Sequence, residues 1–289
     1  MKEALLPRLA WRLRRGCLKW RKPSLDSCRS SRFALILGLG ATLALGLSAI
    51  LSGCDKAPSS GQARERLRVL CSSSMAAPMQ ELGKLFTATH DAQIDFDLGG
   101  SETLLPKILT GVPADLFVCH DPFEEKLKAA GRWTNTVVVG YLEPVVAVRP
   151  GNPKGLRRLE DLAQPGLKIG IGDPRYSTCG ELFMEALQRR GLRDAVMKQV
   201  VLQSRSTTDV ANGLVIGSLD VGVIWNFNAV LYTGKLDVVA AHMDCADVRV
   251  TVVGLTQSPQ PQWRDAFLQW CDRPAALELF RRQGYGQAE

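Results

Sequence analysis

Arg68-Val-Leu-Cys71, Ser72-Ser-Ser74 and Pro78-Met-Gln-Glu-Leu-Gly-Lys-Leu-Phe-Thr-Ala-Thr89 follow one another closely along the chain. The first stretch is short and apolar, as a buried strand is. The serines read as a turn. In the third stretch Met79, Leu82, Leu85 and Phe86 recur at helical spacing. The unit then repeats. Residues 94–98 read as a strand, Gly99-Gly100-Ser101 as a turn and residues 102–110 as a helix. Residues 114–119 read as a third strand ending in His120-Asp121-Pro122, with a third helix over 123–130. Strand–helix alternation through tight turns predicts an α/β fold with a mostly parallel sheet.

Downstream, residues 137–148 form a long β-rich run containing Gly140 and Pro144, and Pro150-Gly151-Asn152-Pro153 breaks it. This break is read as a crossing into a second lobe. Alternation resumes with a strand at 167–171, a loop from Gly172-Asp173-Pro174 to Thr178, and a helix at 180–188. A strand at 199–202, a helix at 207–216 and strands at 221–224 and 236–240 follow, and residues 248–253 read as the return crossing. Helices at 262–271 and 274–283 finish the pattern. One lobe is expected to hold residues 67–147 and 247–289, the other residues 148–246.

Open parallel sheets bind ligands at the carboxyl ends of their strands, where loops lead into helix N-termini. Four such loops are rich in hydroxyl side chains and free backbone N–H groups: Ser72–Ser74, Gly99-Gly100-Ser101, Ser177-Thr178-Cys179-Gly180 and Ser204-Arg205-Ser206-Thr207-Thr208. Ser and Thr are also the commonest helix caps. Four loops in strand-end register, however, make a set of neutral donors suited to an anion. His120-Asp121 is assigned a structural role, because adjacent residues on an extended segment point to opposite faces. Glu143, in the crossing, is either a ligand contact, which would favour a cationic group or metal, or an ordinary hinge charge. Asp209 suits the first turn of its helix without a ligand, and Arg205 is read as a surface charge rather than a counter-ion.

Gly111-Val-Pro-Ala-Asp-Leu-Phe117, Ile171-Gly-Asp-Pro174 with Gly180 behind it, and Leu219-Asp-Val-Gly-Val-Ile-Trp225 resemble the molybdate-binding proteins of bacterial ABC importers. The resemblance runs from Leu67 to about Phe280 and implies a two-lobed periplasmic binding protein fold. Each lobe would be a mostly parallel sheet flanked by helices, and two hinge strands would join them. It further implies that a tetrahedral oxyanion is held in the interlobe cleft by hydroxyls of Ser74 and Ser101, backbone N–H groups of Cys179 and Thr207, and the ring donor of Trp225. The family has Tyr at this last position and Ser-Asp where this chain has Phe227-Asn228. An indole donates but does not accept, so a metal chelate or organic anion stays open beside molybdate and tungstate. The implied partners are the permease subunits of the importer, with the binding protein itself a monomer. No cofactor, structural metal or catalytic residue is expected.

The leader points the same way. A basic segment precedes an apolar run over 33–51 that closes on Leu51-Ser-Gly-Cys54. This resembles a bacterial lipoprotein signal. It predicts removal of residues 1–53, lipid on Cys54, a linker over 54–66, and an extracytoplasmic protein tethered to the membrane. The competing reading is a retained span, for which 19 residues are just long enough. The formal charge of +7 arises in this leader, which holds ten of the 36 Lys and Arg but two of the 29 acidic residues. The remainder is near −1, which removes any argument for nucleic-acid binding. Of the eight cysteines, Cys71, Cys119, Cys179, Cys245 and Cys271 lie beyond Cys54. Five is odd and no pair has C-x-x-C spacing, so a free thiol is expected and a zinc site is not. A hydrolase on an α/β scaffold is the alternative from another class. There is no G-x-S-x-G, H-E-x-x-H or P-loop, and the three histidines are poorly placed for a triad.

Overall fold

The computed structural model describes residues 65–286, residue 246 excepted. The expected signal segment, Cys54 and nearly all of the expected linker lie outside the described residues. Strands in chain order are β1 (Glu65–Ser72), β2 (Ala92–Gly99), β3 (Leu116–His120), β4 (Trp133–Leu142), β5 (Pro144–Val148), β6 (Ile169–Gly172), β7 (Val200–Ser204), β8 (Val221–Trp225), β9 (Asp237–Val239) and β10 (Val248–Leu255). Helices are α1 (Ala76–Thr87), α2 (Ser101–Leu109), α3 (Phe123–Ala129), α4 (Thr178–Arg189), α5 (Arg193–Met197), α6 (Thr207–Val215), α7 (Asn226–Leu231), α8 (Pro261–Cys271) and α9 (Pro274–Arg282). The strands form two five-stranded sheets, ordered β2-β1-β3-β10-β4 and β7-β6-β8-β5-β9. β1, β2 and β3 pair in parallel, as do β6, β7 and β8, while the strands that cross between sheets pair antiparallel.

Period-two alternation explains why these runs become central strands. Val69, Cys71, Leu116 and Val118 face one buried cluster with Met79, Phe86, Phe267 and Phe280. Leu70, Phe117 and Cys119 face the opposite cluster with Leu104, Ile108 and Leu127. A sheet covered on both faces needs apolar residues at every position, and all five residues of β3 are buried. The helices supply the matching 3.6 period. α1 buries Met79, Leu82 and Phe86, and the Phe86 ring meets Trp263, Phe267 and Trp270 edge-on at 6.2, 5.0 and 5.7 Å. Burying such a ring contributes about 1.5–3 kcal/mol. In the second sheet, α6 covers one face through Val210 and Leu214, and α4 covers the other through Phe183 and Leu187.

The change of sheet falls earlier than expected. β4 and β5 belong to different sheets with Glu143 alone between them, so residues 144–147 sit in the second sheet rather than the first lobe. The reason is Pro144. Proline lacks an N–H and is tolerated as the first residue of a strand, and here it opens β5 opposite Trp225. Pro150-Gly151-Asn152-Pro153 is instead the turn that leaves β5. Asn226 pins the switch. Its N–H donates to the Glu143 carbonyl at 2.9 Å, and its side chain bonds the Glu143 N–H at 3.3 Å and the Tyr141 carbonyl at 3.2 Å. β1 also begins three residues before the expected strand start at Arg68, and helices α5 and α7 were not anticipated. After α9, Gly286 pairs with Tyr141. Tyr285 is buried with its ring stacked on Phe227 at 5.4 Å, and its hydroxyl donates to the Ser74 carbonyl. A side chain at Gly284 would strike Val230, and its φ of +92° favours glycine.

Candidate functional site

The carboxyl ends of β1, β2 and β3 and those of β6, β7 and β8 line one cavity of about 620 Å³. Ser74, Ser101, Thr207 and Trp225, four of the five implied ligand contacts, are among its lining residues. The fifth, Cys179, is fully buried and its thiol is pushed up by burial. Ser177 and Thr178 reach the cavity in front of it. Only the backbone of Cys179 is therefore a candidate contact.

The hydroxyl loops are not equivalent. Ser72 and Ser74 share a hydrogen bond at 3.2 Å, and the Ser74 hydroxyl also donates to the Met75 sulfur at 3.3 Å. Thioether sulfur is a weak acceptor, so this proton is easily redirected to a better one. Ser73 donates to the Gly99 carbonyl at 3.2 Å and ties the first two loops together. Ser101 opens α2 and is 2% exposed, yet its hydroxyl has no partner among the described residues. Nor does it cap the helix, since the capping position is Gly100. A buried hydroxyl left unpaired is unfavourable by roughly 1–3 kcal/mol. The first turns of α2 and α4 carry no side-chain cap, which leaves their N–H ends available to an anion.

The third helix start differs. Ser206 accepts from the Thr208 N–H at 3.2 Å and acts as an ordinary cap. Thr207 donates to Asn228 at 2.7 Å, leaving its backbone as the candidate contact. Asn228 is fully buried and also takes the Trp225 N–H at 3.2 Å while donating to Thr208 at 3.3 Å. The Phe227-Asn228 departure thus has a structural reason: Asn228 braces the floor of the cleft. Trp225 is 4% exposed, and its ring lies 6.2 Å from that of His120, joining the two sheets across the floor.

Charge lines the rim. Arg205, expected at the surface, stacks its guanidinium 3.9 Å from the centroid of Tyr176, and both line the cavity. Arg175 grips Asp173 through two bonds of 3.0 and 2.7 Å, and this holds the Asp173 carboxyl below its usual range. Glu102, Lys126 and Glu181 also line the cavity. Glu143 is exposed and is not a lining residue, so the cleft gives no support to a ligand contact there. Asp209 accepts from Ser204 at 2.7 Å.

His120 is the residue that sequence reasoning missed. Asp121 does point away, to Arg249, with bonds of 2.8 and 3.0 Å, but His120 itself lines the cavity. The available signal was its place at the end of a third parallel strand, in register with the other loops. The residue is 8% exposed. Burial, only partly offset by the Asp121 carbonyl and the charges of Asp121 and Glu102, holds its pKa below the ordinary value. Among the described residues no three His, Cys, Asp or Glu side chains gather to hold a metal ion, and all five cysteines are free thiols.

Comparison with known proteins supplies the context. The molybdate-binding protein ModA of Mycobacterium tuberculosis is 25% identical over 258 residues, covering 86% of this chain and 96% of that protein. The periplasmic molybdate-binding protein of Azotobacter vinelandii has the same fold, with a TM-score of 0.64 at 17% identity, over 77% of this chain and all of the other. A periplasmic thiamin-binding protein superposes with a TM-score of 0.69 at 16% identity, over 80% and 86% of the two chains. At such identities the two structural likenesses concern fold alone. The family profile for bacterial extracellular solute-binding proteins matches residues 67–286, and the chain belongs to that family.

Proposed function

We propose that this protein captures a tetrahedral oxyanion, molybdate or tungstate foremost, in the cleft between its sheets and delivers it to the permease subunits of an ABC importer. The Ser101 hydroxyl carries the reading: it is buried, unpaired and part of the cleft lining. Ser74, the backbone N–H groups of Cys179 and Thr207, and the indole N–H of Trp225 complete the proposed donor set. Neutral dipoles fixed in a closed cleft replace the hydration of an anion without a full counter-charge. A ligand touching both sheets binds the closed form better than the open one and so draws them together. In the cell, Cys54 would carry lipid and hold the protein on the outer side of a bacterial membrane.

The rim supports one further reading. A cavity of about 620 Å³ lies within the range that takes drug-sized ligands, and the Arg205–Tyr176 stack would suit an organic anion. Thermal denaturation with molybdate, tungstate, sulfate, phosphate, phosphonates, organic phosphates and metal ions separates the two. A ligand present at 100 times its dissociation constant adds about 2.7 kcal/mol to stability. Stabilisation by molybdate or tungstate well below the sulfate concentration needed supports the first reading. Stabilisation by an organic anion alone replaces it with the second.

A further inference from the structure

We propose that His120 is a ligand contact that couples anion capture to proton uptake, its Nε2 taking a proton from solvent as a dianion enters the cleft. This rests on the oxyanion reading above. The geometry comes first. His120 ends β3, between the loop after β1 and the pairing with β10 through Val250, and it lines the same cavity as Ser74 and Ser101. Its Nδ1 lies 2.8 Å from the Asp121 carbonyl oxygen. A carbonyl only accepts, so Nδ1 carries the hydrogen. The other nitrogen then holds the lone pair in the neutral ring, and no protein partner for it is found among the described residues. A cleft of donors thereby contains one acceptor that a proton converts into a charged donor.

The surroundings favour that conversion on binding. Burial holds the imidazole pKa below its ordinary value and so favours the neutral ring. On its own turn, the Asp121 carboxylate is spent on Arg249, which also stands 3.6 Å from Glu124, itself paired with Lys128 at 2.8 Å. From α2, Glu102 is the one carboxylate whose charge reaches the ring. From α3, the Phe123 ring stands nearly perpendicular to it at 5.4 Å, and Lys126 lies over the Phe123 ring at 4.8 Å. From the second sheet Trp225 closes the floor. Across the cavity Arg175 is held by Asp173 and Arg205 by Tyr176, while Glu181 adds a second carboxylate to the lining. A dianion placed among the strand-end donors adds negative charge to that of Glu102 facing the ring, and an opposite charge at close range raises a histidine pKa. The proton comes from bulk water, no covalent bond is broken, and the bound pair carries one negative charge fewer than the free ligand.

The sign follows. The bound form holds more protons than the empty form, so affinity is greatest at low pH. It reaches a plateau below the pKa of the empty cleft and is lost as pH rises through the higher pKa of the complex. Within that window, affinity should change by about tenfold per pH unit. The test is calorimetry of the intact protein with dilute molybdate across roughly pH 5–8, the range in which a histidine changes charge, in buffers of differing ionisation heat. We expect uptake approaching one proton per ligand and a Kd that tightens as pH falls. His120→Gln keeps a polar side chain of similar reach but cannot titrate. It should bind more weakly with no proton uptake and a flat pH profile, and its far-UV spectrum and melting curve report folding separately. A merely structural histidine would shift the melting temperature and leave the proton count unchanged. Tight molybdate binding without proton uptake, or uptake that persists in His120→Gln, overturns the role of His120 and leaves the oxyanion reading standing. Absence of binding by any oxyanion overturns both.

Discussion

Replacing Ser101 by alanine should move stability and affinity in opposite directions, which few substitutions do. Among the described residues the hydroxyl is buried without a partner, so it adds desolvation without a compensating bond. Deleting it leaves a space of one oxygen atom and removes no helix cap, because Gly100 holds that position. The empty Ser101→Ala protein should therefore be about 1 kcal/mol more stable, or roughly 2–4 °C higher in melting temperature for a domain of this size. Bound to an oxyanion, the same hydroxyl would make a charge-assisted bond worth about 1.5–3 kcal/mol, so molybdate affinity should fall roughly tenfold to a hundredfold. Melting curves without ligand and calorimetric titrations with it read the two quantities separately. Stabilised but weakly binding protein is the signature of a group held at a site against the interest of the fold. A lower melting temperature with unchanged affinity would refute the reasoning and assign Ser101 to the structure of α2.

Trp225→Phe removes the indole donor and part of the cleft floor. The empty protein should lose about 1–2 kcal/mol by large-to-small replacement, and molybdate affinity should fall at least several-fold by calorimetry. Tyr285→Phe keeps the stack on Phe227 but deletes the bond to the Ser74 carbonyl. Stability should fall by about 0.5–1.5 kcal/mol, and binding should weaken a few-fold because the Ser74 loop is freed, both measurable in the same two assays. Cys179→Ala should lower stability by about 1 kcal/mol and leave Kd unchanged, since only the backbone there is placed to reach the ligand. Cys54→Ala should abolish labelling of the protein by a clickable fatty acid in cells, and labelling that survives would end the lipoprotein reading.

The alternation that predicted two α/β lobes was legible because each sheet is covered on both faces. Such strands must be apolar throughout and such helices apolar along one stripe, and both periods are visible in residues 65–130 without tertiary information. The sheet boundary was less legible. A run such as 137–148 has the same β-rich composition whether it is one strand or two, and only pairing reveals that Leu142 and Pro144 face different partners. Pro144 was the available sign, but Pro150 and Pro153 are more conspicuous breakers. Helix α7 escaped because its six residues are too short to establish a period.

The site divides along a similar line. Strand-end register plus small hydroxyl residues predicted four loops, and all four contribute to the cavity lining. What register alone does not tell is which hydroxyls are already committed. Ser206, Thr207 and Ser101 look alike in the sequence, yet the first caps α6, the second serves Asn228, and the third has no partner among the described residues. That difference depends on Asn228, some twenty residues further along the chain, so no local pattern encodes it. His120 was passed over by a rule that is sound for its neighbour. Alternation sends Asp121 to Arg249 and, by the same geometry, sends His120 the other way, into the cleft. Read with the parallel β1–β3 pairing, the alternation argument that assigned both residues to structure instead separates them, placing one in an ion pair and the other in the lining of the cleft.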